Sequence, residues 1–335
     1  MTVRPHARHS PRTRGAGERL AGARPRGACR MLPAIVLAAM ALSTGCGEAS
    51  PGKALSLGAS SALPRPRTSH VIVMVMENAE YGDVIGSSAA PYVNALARRY
   101  GLMTESFAIR HPSLPNYLAL TSGSTHGIGS DCTDCGVSAT NVVDRLERAH
   151  ISWGAYLEDV PSPCFLGAQA GGYAKKHNPF AYYADIVRSP ARCARLVGFR
   201  RLASDLRDGR LPTYVWISPN LCDDGHDCGV GAGDRFLART VPALLRELGS
   251  HGFLVLTWDE GSSDRGCCGV AAGGHIATIV AGPDVRRGAR ASTPIDHYGV
   301  LGSIEQALGL PALGGAADRR NGRLGALFAR TPRVR

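Results

Sequence analysis

His70-Val71-Ile72-Val73-Met74-Val75-Met76-Glu77-Asn78 is the stretch that decides the fold. An antiparallel strand with one wet face alternates apolar and polar residues. An unbroken apolar run that ends in an acid and an amide predicts instead a parallel strand buried on both faces. Working outward, similar runs predict strands over 152–157, 213–218, 253–258 and 276–281. Helical spacing of Val93, Leu96, Ala97 and Tyr100 predicts a helix over 91–100 that stops at Gly101, and further helices fit 141–149, 234–248 and 298–308. Strands alternating with helices imply an α/β architecture of three layers, a mostly parallel sheet with helices on both faces.

Composition narrows the partners. The chain has 335 residues with 38 Lys plus Arg against 27 Asp plus Glu. Residues 1–30 hold eight Arg and one Glu, so +7 of the +11 net charge lies there and +4 remains for everything after Arg30. A nearly balanced body excludes nucleic-acid binding built on overall basicity. A hydrophobic fraction of 44% with 19% charged residues excludes a largely disordered chain.

Residues 1–46 read as a targeting region. The apolar stretch 31–42 is too short to span a bilayer, and Arg24, Arg26 and Arg30 precede it as in a signal peptide. Leu42-Ser43-Thr44-Gly45-Cys46 is similar to a bacterial lipobox, so the chain is expected to be exported, either secreted or held at the cell envelope by a lipid anchor. Residues 47–67, rich in Gly, Ser and Pro, read as a flexible tether, and 68–330 as one domain. Eight body cysteines (132, 135, 164, 193, 222, 228, 267 and 268) in an exported chain are expected to form disulfides. Cys132-x-x-Cys135 has no second pair to complete a zinc knuckle and reads as a structural bridge.

In parallel sheets chemistry gathers at the carboxyl ends of strands. Glu77-Asn78, Pro219-Asn220 with Asp223-Asp224-Gly225-His226-Asp227, and Asp259-Glu260 each follow a predicted strand, and His111-Pro112-Ser113-Leu114-Pro115-Asn116 adds His and Ser. A lone strand-end Asp or Asn is more often a turn former or cap. Several on one edge favour a divalent metal centre of hard oxygen ligands with His support, for which Ca, Mg and Zn all qualify.

At these motifs, together with His177-Asn178-Pro179-Phe180 and Gly273-Gly274-His275-Ile276, the sequence resembles the bacterial phosphoesterase family. That family comprises secreted acid phosphatases and phospholipases C on an alkaline-phosphatase-like fold, and the resemblance is greatest to exported phosphatases of phosphatidylinositol 3-phosphate. It implies Glu77, Asn78, Asp259 and Glu260 as metal ligands, Ser113 as nucleophile, and His226 and His275 as catalytic histidines. It also implies Asn116, His111 and His177 as substrate-binding residues. The expected substrate is a phosphate ester, with a lipid headgroup among the candidates and no nucleic acid; membrane contact is expected only through a lipid anchor. The chemistry is coherent, because a serine hydroxyl needs a metal or base before it attacks, and phosphoryl transfer needs cations around the equatorial oxygens.

Plainer readings stand beside these. Ser113 reads equally as the cap of a helix begun by Leu114-Pro115, and His275 alone would be structural. His297 opens a helix, where capping or surface exposure is expected; Lys175-Lys176 either meets an anionic headgroup or lies in a solvated loop. A sulfatase would want Arg where Tyr117 stands. Two rival functions remain: a phospholipase C-type phosphodiesterase and a non-catalytic envelope binding lipoprotein. The intact set of Ser113, Asn116 and both acid pairs speaks against the second.

Overall fold

The computed structural model describes residues 68–334, so the expected targeting region and tether lie outside the described residues. Eleven strands are present in the described residues: β1 (Val71–Met76), β2 (Gly101–Phe107), β3 (Trp153–Leu157), β4 (Gln169–Ala170), β5 (Tyr173–Ala174), β6 (Leu196–Val197), β7 (Tyr214–Ser218), β8 (Phe253–Trp258), β9 (His275–Ala281), β10 (Arg290–Ala291) and β11 (Ile295–Asp296). The α-helices are α1 (Tyr81–Val84), α2 (Pro91–Arg99), α3 (Ser113–Ser122), α4 (Val142–Arg148), α5 (Ala184–Val187), α6 (Pro190–Cys193), α7 (Phe199–Arg207), α8 (Val230–Glu247) and α9 (His297–Leu308).

Nine strands form one sheet in the order β10-β2-β9-β8-β1-β7-β3-β6, with β11 also paired to β2; β4 and β5 form a separate hairpin. All main-sheet neighbours are parallel except where β9 runs antiparallel to β2 and β8. The three-layer, mostly parallel α/β arrangement expected from the sequence is the one observed.

Burial explains the apolar runs. In β1, Val71, Val73 and Val75 join a core shared with α3, α4 and α9, while Ile72, Met74 and Met76 join a second core shared with α2, α7 and α8. Each of these side chains is at most 1% exposed, so β1 alone secures on the order of 10 kcal/mol of apolar burial. The same alternation runs through β7 (Tyr214 and Trp216 against Val215 and Ile217) and β8 (Phe253 and Val255 against Leu254 and Leu256).

That pleat places the chemistry. Continuing the parity of β1 and β8 past their ends puts Glu77 and Asp259 on the face covered by α3 and α9, and Ser218 at the end of β7 shares it. The sheet stays paired there: Asp259 N donates to Met76 O at 2.9 Å, and Glu77 N donates to Asp224 O at 3.1 Å.

Differences from the sequence reading have local causes. The strand β2 begins at Gly101, where only a helix end was expected; its Thr104-Glu105-Ser106 centre hides the apolar pattern, and Ser106 Oγ pairs in the sheet with Thr278 Oγ1 at 2.7 Å. Helix α8 starts at Val230, before the expected 234, and runs through Gly231 and Gly233, residues of low helix propensity. At Gly233 a Cβ would lie 2.9 Å from Met76 Cε, so glycine lets α8 lie close on the sheet. Helix α4 carries a capping box: Asn141 Oδ1 accepts from Val143 N at 2.9 Å and Asp144 Oδ2 from Asn141 N at 3.1 Å.

All eight body cysteines are paired, as Cys132–Cys135, Cys164–Cys193, Cys222–Cys228 and Cys267–Cys268. The Cys132–Cys135 pair is thus a bridge, as expected. Cys222–Cys228 closes the loop that carries Asp224 and His226.

Candidate active site

Ser113 is the first residue of α3, but it does not cap the helix. The cap position belongs to Pro112, which makes no side-chain cap bond, and the Ser113 hydroxyl turns toward the sheet. Its Oγ lies 3.1 Å from Glu77 Oε2 and 3.2 Å from Glu260 Oε1. One hydroxyl proton serves two carboxylates, so at any moment one of them is an acceptor without its donor. The serine is 1% exposed, enclosed by the groups that would take its proton.

Glu77 is the hub. Its Oε1 accepts from the Tyr117 hydroxyl at 2.5 Å, one turn along α3, and its Oε2 lies 3.2 Å from His177 Nε2. On the other side of that imidazole, Nδ1 lies 3.1 Å from Asp224 Oδ2. Neither contact is aligned as a hydrogen bond, and His177 Nε2 and Asp224 Oδ2 are both buried without one. Burial lowers the His177 pKa, yet the charges and contacts of Glu77 and Asp224 override it and push the value up to about 10. Glu77 answers in the opposite sense: burial would raise its pKa, but His177 and the Tyr117 hydroxyl hold it below the ordinary carboxylate range.

The remaining acids are held high. Asp259 is fully buried; its Oδ1 accepts from the Asn78 backbone N at 3.0 Å, and its Oδ2 has no hydrogen-bond partner. Burial, then the charges of Glu77 and Glu260, push its pKa well up. Burial likewise raises Asp224 and Glu260. A cluster of Glu77, Asp224, Asp259 and Glu260 at the end of a sheet is a repelling arrangement that a cation would relieve. Ligand atoms of Glu77, His177 and Asp224 all lie within 4.8 Å of one another. The carboxylate oxygens, with Asp224 Oδ2 and Asp259 Oδ2 unpartnered, fit a hard divalent ion.

The expected site residues therefore fall into groups. Glu77, Ser113, Asp259 and Glu260 come together as expected. His111 joins them, with Nδ1 bonded to Glu260 Oε2 and Nε2 3.2 Å from the Ser263 carbonyl. Both ring atoms face acceptors, which suits the doubly protonated imidazole; burial pulls its pKa down, but Glu260 and Ser263 raise it overall. Asn78 contributes its backbone N–H, in the left-handed region (φ 47°), while its side chain is exposed.

Three expectations change. His177, expected to touch substrate, is 3% exposed and stacked on Tyr117 (5.4 Å between ring centroids), inside the carboxylate cluster. Asn116 is fully buried, and its amide is spent on the preceding loop: Oδ1 accepts from Ile109 N at 2.9 Å and Arg110 N at 3.2 Å, and Nδ2 donates to Arg110 O at 2.6 Å and Pro112 O at 3.2 Å. It braces the turn into Ser113 where a phosphoryl contact was expected. His275 lies apart at the start of β9, with Nε2 donating to Thr104 O at 2.8 Å and Nδ1 accepting from Arg265 Nη1 at 2.9 Å. Its ring is stacked between Tyr81 and Phe107, and with both nitrogens used it serves the sheet end, not proton transfer.

His226 sits on the open side. Asp227 Oδ1 lies 2.7 Å from Nδ1 and Lys176 Nζ 3.3 Å from Nε2. An ammonium only donates, so Nε2 accepts here and Nδ1 carries the proton. The backbone N of His226 donates to Asp224 Oδ1 at 2.8 Å, tying it to the cluster.

Several residues escaped the sequence reading. Asp224 stood in a noted motif without a role. His297, expected to be a cap or on the surface, is fully buried: Asp296 caps α9, while His297 Nε2 donates to the Asp259 carbonyl at 2.6 Å. Its Nδ1 has no partner, and burial lowers its pKa to about 4, so the ring is neutral. A His immediately after a strand-end Asp was the available signal.

Comparison with known proteins bears on this geometry. A model of the Phosphoesterase family matches residues 85–311. The phosphatidylinositol-3-phosphatase of Mycobacterium tuberculosis is 34% identical over 264 residues, covering 78% of this chain and 83% of the relative. An acid phosphatase of Aspergillus fumigatus is 30% identical over 252 residues, 71% of this chain, and the match spans only about half, 54%, of that relative's length. Among solved structures, murine ectonucleotide pyrophosphatase/phosphodiesterase 5 superposes with a TM-score of 0.52 at 12% identity, covering 78% of this chain and 100% of that one, a likeness of fold alone.

Proposed function

The chain belongs to the phosphoesterase family of hydrolases acting on phosphate esters, and from that membership we propose that it is a metal-dependent phosphomonoesterase working through a phosphoserine. The observation that carries this reading is the Ser113 hydroxyl set between Glu77 and Glu260 at 3.1 and 3.2 Å. Glu77, Asp259 and Glu260 would hold the cation, with the Asn78 backbone N–H orienting Asp259 and His177 and Asp224 fixing the far side of Glu77. The cation supplies charge neutralisation and lowers the pKa of the serine hydroxyl.

Ser113 Oγ attacks phosphorus in line as its proton passes to Glu260, the neighbour whose pKa burial raises, in preference to Glu77, whose pKa is held low. The bond to the leaving alkoxide breaks, and water later hydrolyses the phosphoserine, returning the serine. His226 is assigned the leaving-group proton; since Nε2 accepts from Lys176 in the resting arrangement, it must first take up a second proton. Asn116 acts as a positioning residue through the turn it braces.

The names of the relatives point to acid phosphatase substrates, and among them to phosphoinositides such as phosphatidylinositol 3-phosphate. Four disulfides suit an exported protein, secreted or anchored at the envelope. The test is hydrolysis of an aryl phosphate monoester and its methyl diester with and without chelator. Chelator-sensitive turnover of the monoester is expected. Faster turnover of the diester would favour a phospholipase C-type reading, and no turnover of either would favour a binding protein.

A further inference from the structure

Lysine is nearly absent from this chain. Of 38 basic residues only Lys53, Lys175 and Lys176 are not arginine, and the last two adjoin His177. Lys175 is spent on structure: Nζ donates to Thr133 O at 2.7 Å and lies 4.8 Å from the Tyr182 ring centroid. Lys176 turns the other way, its Nζ 3.2 Å from Asp131 Oδ2 and 3.3 Å from His226 Nε2. These two partners leave one of its three donors over.

Asp131 makes this arrangement pertinent to the nucleophile. Its Oδ1 accepts from Leu114 N at 2.9 Å, the residue after Ser113, so one carboxylate ties the lysine to the first turn of α3. The groups nearest Ser113 are carboxylates, which repel a phosphate dianion, and the His177 imidazole is enclosed. Lys176, with its side chain 20% exposed, is a cation on the open side. A compact ammonium can meet a phosphoryl oxygen from a place where a forked guanidinium would need more room.

We propose that Lys176, beside His226, binds the second negative charge of a phosphomonoester and so sets the preference for monoester dianions over diester monoanions. This rests on the phosphomonoesterase reading above.

The test compares the full chain with its Lys176→Gln variant on 4-nitrophenyl phosphate and methyl 4-nitrophenyl phosphate, with titration of inorganic phosphate. Losing a charged hydrogen bond to the dianion should lower kcat/KM for the monoester about ten- to a hundredfold. Phosphate binding should weaken by a similar factor, the diester should change little, and the melting temperature should hold. An equal fall on both esters, or unchanged phosphate affinity, would overturn the proposal and leave Lys176 a brace for Asp131. If the unaltered protein cleaves neither ester, the enzymatic reading fails by itself, and the phosphate titration still decides for or against Lys176. Should Lys176→Gln not fold, Asp131→Asn carries the test: it keeps an oxygen for Leu114 N and frees the ammonium, so phosphate should bind tighter, and weaker or equal binding would overturn the assignment.

Discussion

Replacing Ser113 by alanine separates a reacting serine from a structural one. The hydroxyl has one proton and two carboxylate acceptors, at 3.1 and 3.2 Å, so the variant loses one charge-assisted hydrogen bond, a contribution of about 1.5–3 kcal/mol. Other donors remain: Tyr117 still reaches Glu77, and His111 still reaches Glu260. No helix cap is lost, because Ser113 makes no cap bond. The net loss should therefore be about 1 kcal/mol, a fall in Tm of roughly 2–4 °C for a domain of this size. Loss of the nucleophile should instead lower kcat by about four powers of ten or more, with KM little changed. Rapid acid quench with labelled monoester should trap phosphate on the peptide containing Ser113 in the unaltered protein and none in the variant. If Ser113→Ala keeps more than about a tenth of the rate, too little for any nucleophile to have been lost, water attacks directly and the phosphoserine is wrong.

The other expectations follow from the same geometry. Asp259→Ala should lose both bound metal and activity, measured by elemental analysis of the purified protein, whereas Asp224→Asn should keep the metal and lose rate; the reverse pattern would make Glu77, His177 and Asp224 the ligands. Glu305, buried in α9 with Oε1 accepting from Leu313 N at 3.1 Å and Oε2 unpartnered, has its pKa raised by burial from 4.5 to about 8. A raised value stabilises the fold below the unfolded pKa and loses that stability as pH climbs to the folded one. Denaturant melts should thus fall by up to about 1.4 kcal/mol per pH unit between those values, and Glu305→Gln should flatten the slope; parallel curves would refute the burial argument. Alkylation of the native protein without reductant should label none of the eight body cysteines, and four or more labelled would contradict the paired arrangement.

What could be read from the chain followed from local pattern. The runs that became β1, β7 and β8 were legible because burial on both faces leaves continuous apolar sequence, and Glu77, Asp259 and Glu260 were legible because they follow those runs directly. The strand β2 was not, since the polar groups at its centre find partners only across the sheet, Ser106 with Thr278 of β9 and Thr104 with the Ala291 carbonyl of β10. Asn116 and His275 were assigned chemistry by motif, but their hydrogen-bond capacity is taken up by Arg110 and Pro112 in the adjoining loop, and by Arg265 and the distant Thr104, bonds that depend on loop and strand geometry the motif does not encode. Tyr117 showed the opposite failure. It served only to exclude a sulfatase, yet the turn of α3 lays its hydroxyl on Glu77.

The alternation in β1 has one more consequence. Both of its faces are apolar, so deleting a single residue between 71 and 76 would swap valines for methionine and isoleucine on each side, and the sheet could re-form around a comparable volume. The same slip would swing Glu77 through half a turn, away from Ser113 and toward the layer of α2 and α8. Oil tolerates that exchange; a carboxylate aimed at one hydroxyl does not. A strand slipped by one residue would stay apolar on both faces and still lose the site, so β1 acts as a parity check that hydrophobicity alone does not enforce.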